Sequence, residues 1–313
     1  MASTDIIDNW IPIEWDDTVI TRVLQDSAIE RYGRPHIMRT ATKRVLRSSG
    51  LSVNGGGTYT ADTSTNDYIT LTARKLNSLF VVDEDDLSDA DSVIDTIKTK
   101  GQDWAISYAD SFDNACLAVS AAENGTTIPY TSVYKSLRTT NSATSYTADD
   151  NYLTWDDDLT SIAAPAVGTS LYERLSQTFK KVETSKYWSL ADQLVIASPG
   201  WRDALRNCLD AQGRPIFIQG TGGTPDTLFD APIQWSRGCK VSATMTQSPA
   251  GNDLLFYCNR QFLKRGDRSM GEILVDKARA QDTTDDTAVK IRVRKGFNVG
   301  HEKALAVLER ITD

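Results

Sequence analysis

Two histidines, His36 and His301, and four cysteines, Cys116, Cys208, Cys239 and Cys258, are the side chains of this sequence best suited to metal ligation or nucleophilic chemistry. Zinc binding would need them clustered, as in a Cys-x-x-Cys pair or a His-Glu-x-x-His helix turn, and no such spacing occurs. Scattered cysteines in a cytosolic chain act as small buried hydrophobes. The glycine-rich run Gly220-Thr221-Gly222-Gly223-Thr224-Pro225 invites a phosphate-cradle reading. It lacks the Lys-Ser/Thr pair that would reach the phosphates and their metal, and Pro225 removes an amide donor. No Gly-x-Ser-x-Gly elbow is present. The acid runs Asp83-Glu84-Asp85-Asp86 and Asp156-Asp157-Asp158 are consecutive residues whose side chains diverge, and they lack the glycine and spaced acids of a calcium loop. No catalytic, cofactor-binding or metal-ligating residue is therefore assigned, and the expectation is a protein that is not an enzyme and takes no cofactor.

The 313 residues suffice for about two domains with a substantial core. The hydrophobic share of 40% and charged share of 24% are ordinary for a globular chain. A net charge of -8 argues against a dedicated nucleic-acid reader, though not against a protein that merely encloses DNA. No apolar run approaches the roughly 20 residues of a membrane-spanning helix. The first basic residue is Arg22, so the opening lacks the positive region of a signal peptide. A cytosolic protein without membrane contact is expected.

The elements that would carry any function begin with residues 1–35, which read as an arm. Trp10, Ile11, Pro12, Ile13 and Trp15 are apolar but interrupted by Pro and acids, and helical spacing follows at Val19, Val23, Leu24 and Ala28. Such an arm either docks elsewhere, on this molecule or a neighbour, or folds onto its own domain. Residues 36–82 predict a long hairpin with limbs Ile37 to Leu46 and Tyr68 to Val82. Tyr68, Thr70 and Thr72 alternate with Ile69, Leu71 and Ala73, the period of a strand with two unlike faces. The tip around Asn54-Gly55-Gly56-Gly57 is too polar to pack and should be mobile in isolation. Arg31, Arg34, Arg39, Lys43, Arg44 and Arg47 occur with no acid among them, and Asp83, Glu84, Asp85, Asp86, Asp89 and Asp91 follow the hairpin. Each run alone reads as a solvated face, while segregation of the two signs also suits self-association. Arg39, Lys43, Arg44 and Arg47, with Asp83, Glu84, Asp85 and Asp86, are accordingly the candidate intersubunit contacts.

The clearest periodicity spans residues 88–123, where Ile94, Ile97, Gly101, Trp104, Tyr108, Phe112, Ala115 and Val119 form one stripe. It predicts a spine helix of about 50 Å, ended by Asn124-Gly125. Residues 126–168 read as an irregular surface insertion. A second amphipathic helix is expected from Ser170 to about Lys186, carrying Leu171, Leu175, Phe179 and Val182. Short strands are predicted at Leu194–Ala197, Pro232–Trp235, Lys240–Met245, Leu254–Cys258, Phe262–Lys264 and Ala288–Val293, and the chain ends in an apolar run, Ala304 to Leu308. Between the first two lies a helix begun by Ser198-Pro199, with Trp201, Ala204, Leu205 and Leu209 inward. The class is α+β.

The segments Val195-Ile196-Ala197-Ser198-Pro199-Gly200-Trp201-Arg202-Asp203-Ala204-Leu205 and Asp210-Ala211-Gln212-Gly213-Arg214-Pro215-Ile216-Phe217 resemble the axial domain of tailed-phage major capsid proteins. Gly223-Thr224-Pro225-Asp226-Thr227-Leu228-Phe229, Lys264-Arg265-Gly266-Asp267-Arg268 and Val293-Arg294-Lys295-Gly296-Phe297-Asn298-Val299 look similar to later parts of that family, and the upstream order of arm, loop, acidic link and spine fits too. The resemblance implies the fold of the Hong Kong phage capsid. Its parts would be an N-terminal arm (1–35), an extended β-hairpin loop (36–82), a peripheral domain with the spine helix (83–190 and 286–313) and an axial domain (191–285). It further implies a structural subunit assembling into hexamers and pentamers of an icosahedral head around double-stranded DNA held without sequence recognition. The partners it implies are further copies of the chain, a separate scaffolding protein, a portal and, in some heads, a decoration protein. The place would be the virion, after assembly in the host bacterial cytoplasm. An encapsulin-type compartment and an enzyme of unknown class remain the alternatives.

Overall fold

The runs Leu194–Ala197, Leu254–Cys258 and Leu305–Leu308 lack the alternation of a half-solvated strand because each is covered on both faces. A computed structural model describes residues 27–48, 67–83, 96–156, 170–210, 213–220, 224–276 and 286–311. The elements up to the middle of the chain are α1 (Ala28–Tyr32), β1 (Arg34–Ile37), β2 (Thr42–Arg47), β3 (Asp67–Thr72), β4 (Arg74–Asp83), α2 (Thr96–Leu117), α3 (Val133–Leu137), β5 (Tyr152–Asp156) and α4 (Leu171–Glu183). They are followed by β6 (Gln193–Ala197), α5 (Arg202–Asn207), β7 (Phe217–Ile218), β8 (Thr227–Leu228), β9 (Ala231–Trp235), β10 (Asp253–Asn259), β11 (Leu263–Asp276), β12 (Asp286–Val299) and β13 (Leu305–Ile311).

A seven-stranded sheet runs β5-β13-β10-β6-β9-β8-β7, and a four-stranded sheet runs β1-β11-β12-β4. In the larger sheet Leu194, Ile196, Leu254, Phe256, Leu305 and Val307 point to one face, against Phe112 and Ala115 of α2 and Val133 and Leu137 of α3. Val195, Ala197, Leu255, Tyr257, Ala306 and Leu308 point to the other, against Leu175, Phe179 and Val182 of α4, Leu205 of α5 and Trp201 just before it. Each large aliphatic or phenylalanine side chain among them contributes roughly 1.5–3 kcal/mol of burial, so these strands hold the two faces together. β13 comes from the C-terminal segment expected in the peripheral domain, yet it lies between β5 and β10 in this sheet.

The hairpin takes a different form from the one its residues predict. Only β2 and β3 pair as a ribbon. The base of the first limb turns aside as β1, parallel to β11, and the rest of the second limb becomes β4, antiparallel to β12. One long ribbon would leave apolar positions of β4 in water; joining β12 buries Leu76 against the core instead. The tip, residues 49–66, and the arm, residues 1–26, lie outside the described residues.

The spine helix is described over 22 residues, about 33 Å, and residues 88–95 lie outside the described part. Its aromatic stripe holds: Trp104 stacks on Tyr108 at 5.2 Å and Tyr108 on Phe112 at 5.5 Å. It ends at Leu117 rather than at Asn124 because the segment after Gly238 supplies other partners. Ser242 N donates to Ala118 O at 3.3 Å and Ser120 N to Ser242 O at 2.9 Å. Asn114 Nδ2 donates to Gly238 O and Lys240 O. Beyond these contacts residues 241–245 form no named strand, which corrects the strand expected there.

Of the expected surface insertion, residues 128–137 and Tyr146 pack into the core, while residues 157–168 lie outside the described residues. Ile128, Tyr130, Val133, Tyr134, Leu137 and Tyr146 are buried, and β5 closes one edge of the large sheet. The segment hides its character because half of these apolar positions are tyrosines whose hydroxyls need partners. Tyr130 donates to Lys295 O, Tyr134 to Glu309 and Tyr146 to Leu137 O. The helix beginning at Leu171 is capped by Ser170, whose Oγ accepts from Glu173 N. The element after Pro199 buries Trp201 and Leu205 as expected but leaves Leu209 exposed.

Candidate functional site

The β2–β3 ribbon stands on the subunit as two short strands with unlike faces, because its residues alternate in burial. Ile69 and Leu71 are buried, with Val45 opposite Ile69 in the register. The other face carries Arg44, Leu46 and Tyr68. Leu46, opposite Tyr68, is 85% exposed, and the Arg44 guanidinium lies 4.4 Å from the Tyr68 ring centroid. A leucine this exposed beside an aromatic ring and a cation is a surface suited to a partner.

Of the four basic candidates, two turn toward their own subunit. Lys43 Nζ donates to Ile37 O at 2.8 Å. Arg47 pairs with Asp67, donates to Gly300 O at 3.4 Å and lies 4.0 Å from Glu302. Arg39 and Arg44 are exposed. Asp83 closes β4 in register with Asp286, while Glu84, Asp85 and Asp86 lie outside the described residues.

At the root of the ribbon sits a polar quartet that sequence spacing does not reveal. Lys295 Nζ reaches Glu30 at 3.0 Å and Asp267 at 2.8 Å. Arg265 reaches the same two acids at 2.9 and 3.0 Å, and Tyr108 donates to Glu30 at 2.7 Å. Two cations and two anions balance, which lets the group be largely enclosed without a stranded charge. Beside it Gly266 of β11 faces Gly296 of β12, and Met38 lies over the pair. A Cβ at Gly266 would collide with the Met38 sulfur, so glycine lets Met38 lie over the sheet where β1 pairs with β11.

A second node ties three distant segments together. The Asp113 carboxylate, fully enclosed on α2, accepts from Ser27 Oγ at 2.5 Å, Ala28 N at 2.8 Å, Ile29 N at 3.1 Å and Ser236 Oγ at 2.6 Å. Burial pushes this carboxyl above its ordinary range, against the pull of those hydrogen bonds. Gly238 lets the turn approach, since a Cβ there would stand 2.6 Å from Asn114 N and Asp110 O. Asp113→Ala strands four donors, and we expect a loss on the order of 3 kcal/mol. Faster hydrogen exchange confined first to residues 27–32 should accompany it; unchanged protection of those amides would contradict the anchoring role.

His301 is packed into the fold. It stacks on Tyr187 at 3.8 Å, its Nδ1 accepts from Lys303 N, and burial pushes its pKa down to about 4. The four cysteines are buried and unpaired by disulfides. No group of metal ligands forms among the described residues, and no described helix is long and apolar enough to cross a membrane. Sequence reading overlooked Asp113 and the quartet because their members are dispersed along the chain. The available signal was Asp110, Asp113 and Asn114 clustered beside Phe112 within the helix.

The fold of two sheets, a spine helix and a projecting ribbon is similar over its whole length to several solved structures. The capsid of an empty GTA particle superposes with a TM-score of 0.67 at 14% identity, covering 96% of both chains. A chain of Mycobacterium phage Bobi gives 0.68 at 16%, covering 97% of this chain and 96% of its own. One of Mycobacterium phage Adephagia gives 0.65 at 14%, covering 100% and 99%. These likenesses define the class as the fold of the Hong Kong phage capsid. The model of the phage capsid family matches residues 8–309, and the chain belongs to that family. It is a structural capsid-shell protein of a tailed phage, a component of the virion that associates with copies of itself. No protein with a curated description matches the sequence.

Proposed function

We propose that this chain forms hexamers and pentamers that close into an icosahedral head around double-stranded DNA, assembling in the cytoplasm of a bacterial host. The observation that carries this reading is the ribbon, which presents Arg44, Tyr68 and Leu46 to solvent, uncovered by the other described residues. In it the loop, residues 36–82, reaches a neighbour, with Arg39 and Arg44 outward. The units at 83–190 with 286–313 and at 191–285 serve as peripheral and axial domains, and Asp83, Glu84, Asp85 and Asp86 lie where a neighbour's loop arrives. A separate scaffolding protein guides closure, a portal occupies one vertex, and a decoration protein binds where the head carries one. The net charge of -8 supports enclosure of DNA without sequence reading. Co-expression with the scaffold should give closed shells by electron microscopy and a fast-sedimenting species in the centrifuge. A monomer at every concentration, with and without scaffold, would overturn the proposal.

A further inference from the structure

Arg31 and Arg34 open the acid-free basic run and take no part in the ribbon. Both are exposed, and they line an open cleft of about 250 Å³ together with Gly33, Pro35 and Arg260. Lys264 extends the charge. It pairs in register with Arg34 across β1 and β11, so the two side chains leave the sheet on one face. Against these four cations stands Asp192, which pairs with Arg260 at 2.9 Å. Arg34 and Lys264 have no ion pair among the described residues. The crowding of like charge reaches their neighbours: burial, then Lys264, Lys43 and Arg34, push His36 below its ordinary pKa, and burial, then Arg34, do the same to Lys264.

The backbone holds this cleft in place. Gly33 N donates to Ile29 O at 2.9 Å, and a Cβ at Gly33 would stand 2.6 Å from that oxygen, so glycine lets the chain turn from α1 into β1 and set Arg31 and Arg34 around one opening. Asp113 fixes α1, and Asn259 Oδ1 accepts from Gln261 N at 3.0 Å to fix the turn that carries Arg260. Cations already in position lose little freedom on meeting an anion. We infer that this surface meets the backbone phosphates of the enclosed DNA, an inference that rests on the reading of the shell as a DNA container. Alternation along β1 puts Arg34 and His36 on the cationic side and leaves Ile37, 77% exposed, to the other. An acidic protein segment would want an aromatic or aliphatic anchor in a pocket, whereas three of the side chains lining this cleft are guanidinium groups. A phosphate backbone needs cations in fixed places and nothing more.

Arg34→Gln with Arg260→Gln and Lys264→Gln should weaken binding of the free subunit to a duplex of about 20 base pairs by more than about tenfold at roughly 50 mM salt, read by fluorescence anisotropy. The slope of log affinity against log salt should flatten by about 2 to 3, and by about 1 for Arg34→Gln alone. Lys180→Gln with Lys181→Gln, exposed on α4, should leave that slope unchanged. Wild-type subunits should bind the duplex more tightly than polyglutamate of equal charge. The native thiols are all buried, so a photoreactive aryl azide can be placed on Arg34→Cys alone, and on irradiation of filled heads it should attach to DNA. An unchanged slope in the triple variant, tighter binding of polyglutamate, or filled heads whose probe attaches only to protein would each overturn the inference. The titration uses free subunits, so it decides the matter whether or not shells form, and a failure to form shells would count against the assembly proposal alone.

Discussion

Lys295→Ala should lower the unfolding free energy by about 3 kcal/mol, toward the lower end of what breaking an enclosed ion pair costs. Lys295 is buried and touches Glu30 and Asp267 at 3.0 and 2.8 Å, so its removal leaves two acids facing each other. Arg265 still bridges both acids, which keeps the loss from being larger. At roughly 2–4 °C per kcal/mol for a chain of this size, the melting temperature should fall by about 6–12 °C. The quartet joins α1, β11 and β12 beside the point where β4 begins, since Lys295 pairs in register with Arg74. The ribbon should therefore lose its fixed bearing, and the yield of shells should drop even below the melting range. A melting temperature within a degree of the wild type would show that Arg265 alone holds the junction.

Arg39→Glu with Arg44→Glu should have the opposite signature, a folded subunit that does not assemble. Both residues are exposed, and Arg44 touches its own subunit through the Tyr68 ring, so the change in stability should stay within about 1 kcal/mol. Each exposed ion pair to a neighbour is worth under about 1 kcal/mol, yet it recurs at every equivalent contact of a shell. Reversal turns each attraction into repulsion, and the fraction of protein in shells should fall by more than tenfold. Raising the salt should weaken wild-type assembly in the same direction, by screening. Arg47 is a poor choice for this test. Its reversal would set a carboxylate against Asp67 and Glu302 and disturb the subunit itself. Normal assembly of the Arg39/Arg44 variant at low salt would remove charge from the account of the ribbon.

Much of this molecule is legible in its residues. The stripe Trp104, Tyr108, Phe112 and Ala115 predicts a buried helix face, and it stacks as such. Alternation at Ile69 and Leu71 predicts a two-faced strand, and the runs at 194–197 and 254–258 predict buried strands. These signals are local, because burial of one face repeats with the period of the element that carries it. The motifs of the last third, taken in order, also point to the capsid family to which the chain belongs.

Other features were decided only when distant segments met. Where the spine helix stops depends on hydrogen bonds from Ser242 and Ser120, not on the glycine after Asn124. Whether Tyr130, Tyr134 and Tyr146 lie at the surface or in the core depends on whether Lys295 O, Leu137 O and Glu309 stand ready to accept from them. Which limb of the hairpin joins a sheet depends on the free edges of β11 and β12. Asp113 and the quartet drawn from Glu30, Arg265, Asp267 and Lys295 have no local spacing at all. A single acid or base in a sequence carries no sign of its partner. Enclosure in the core makes the partner obligatory, because an unpaired charge or polar group costs several kcal/mol there and almost nothing in water. Periodicity alone therefore sufficed for the helices and strands, while the polar joints that fix the arm and the ribbon came into being only with the tertiary packing.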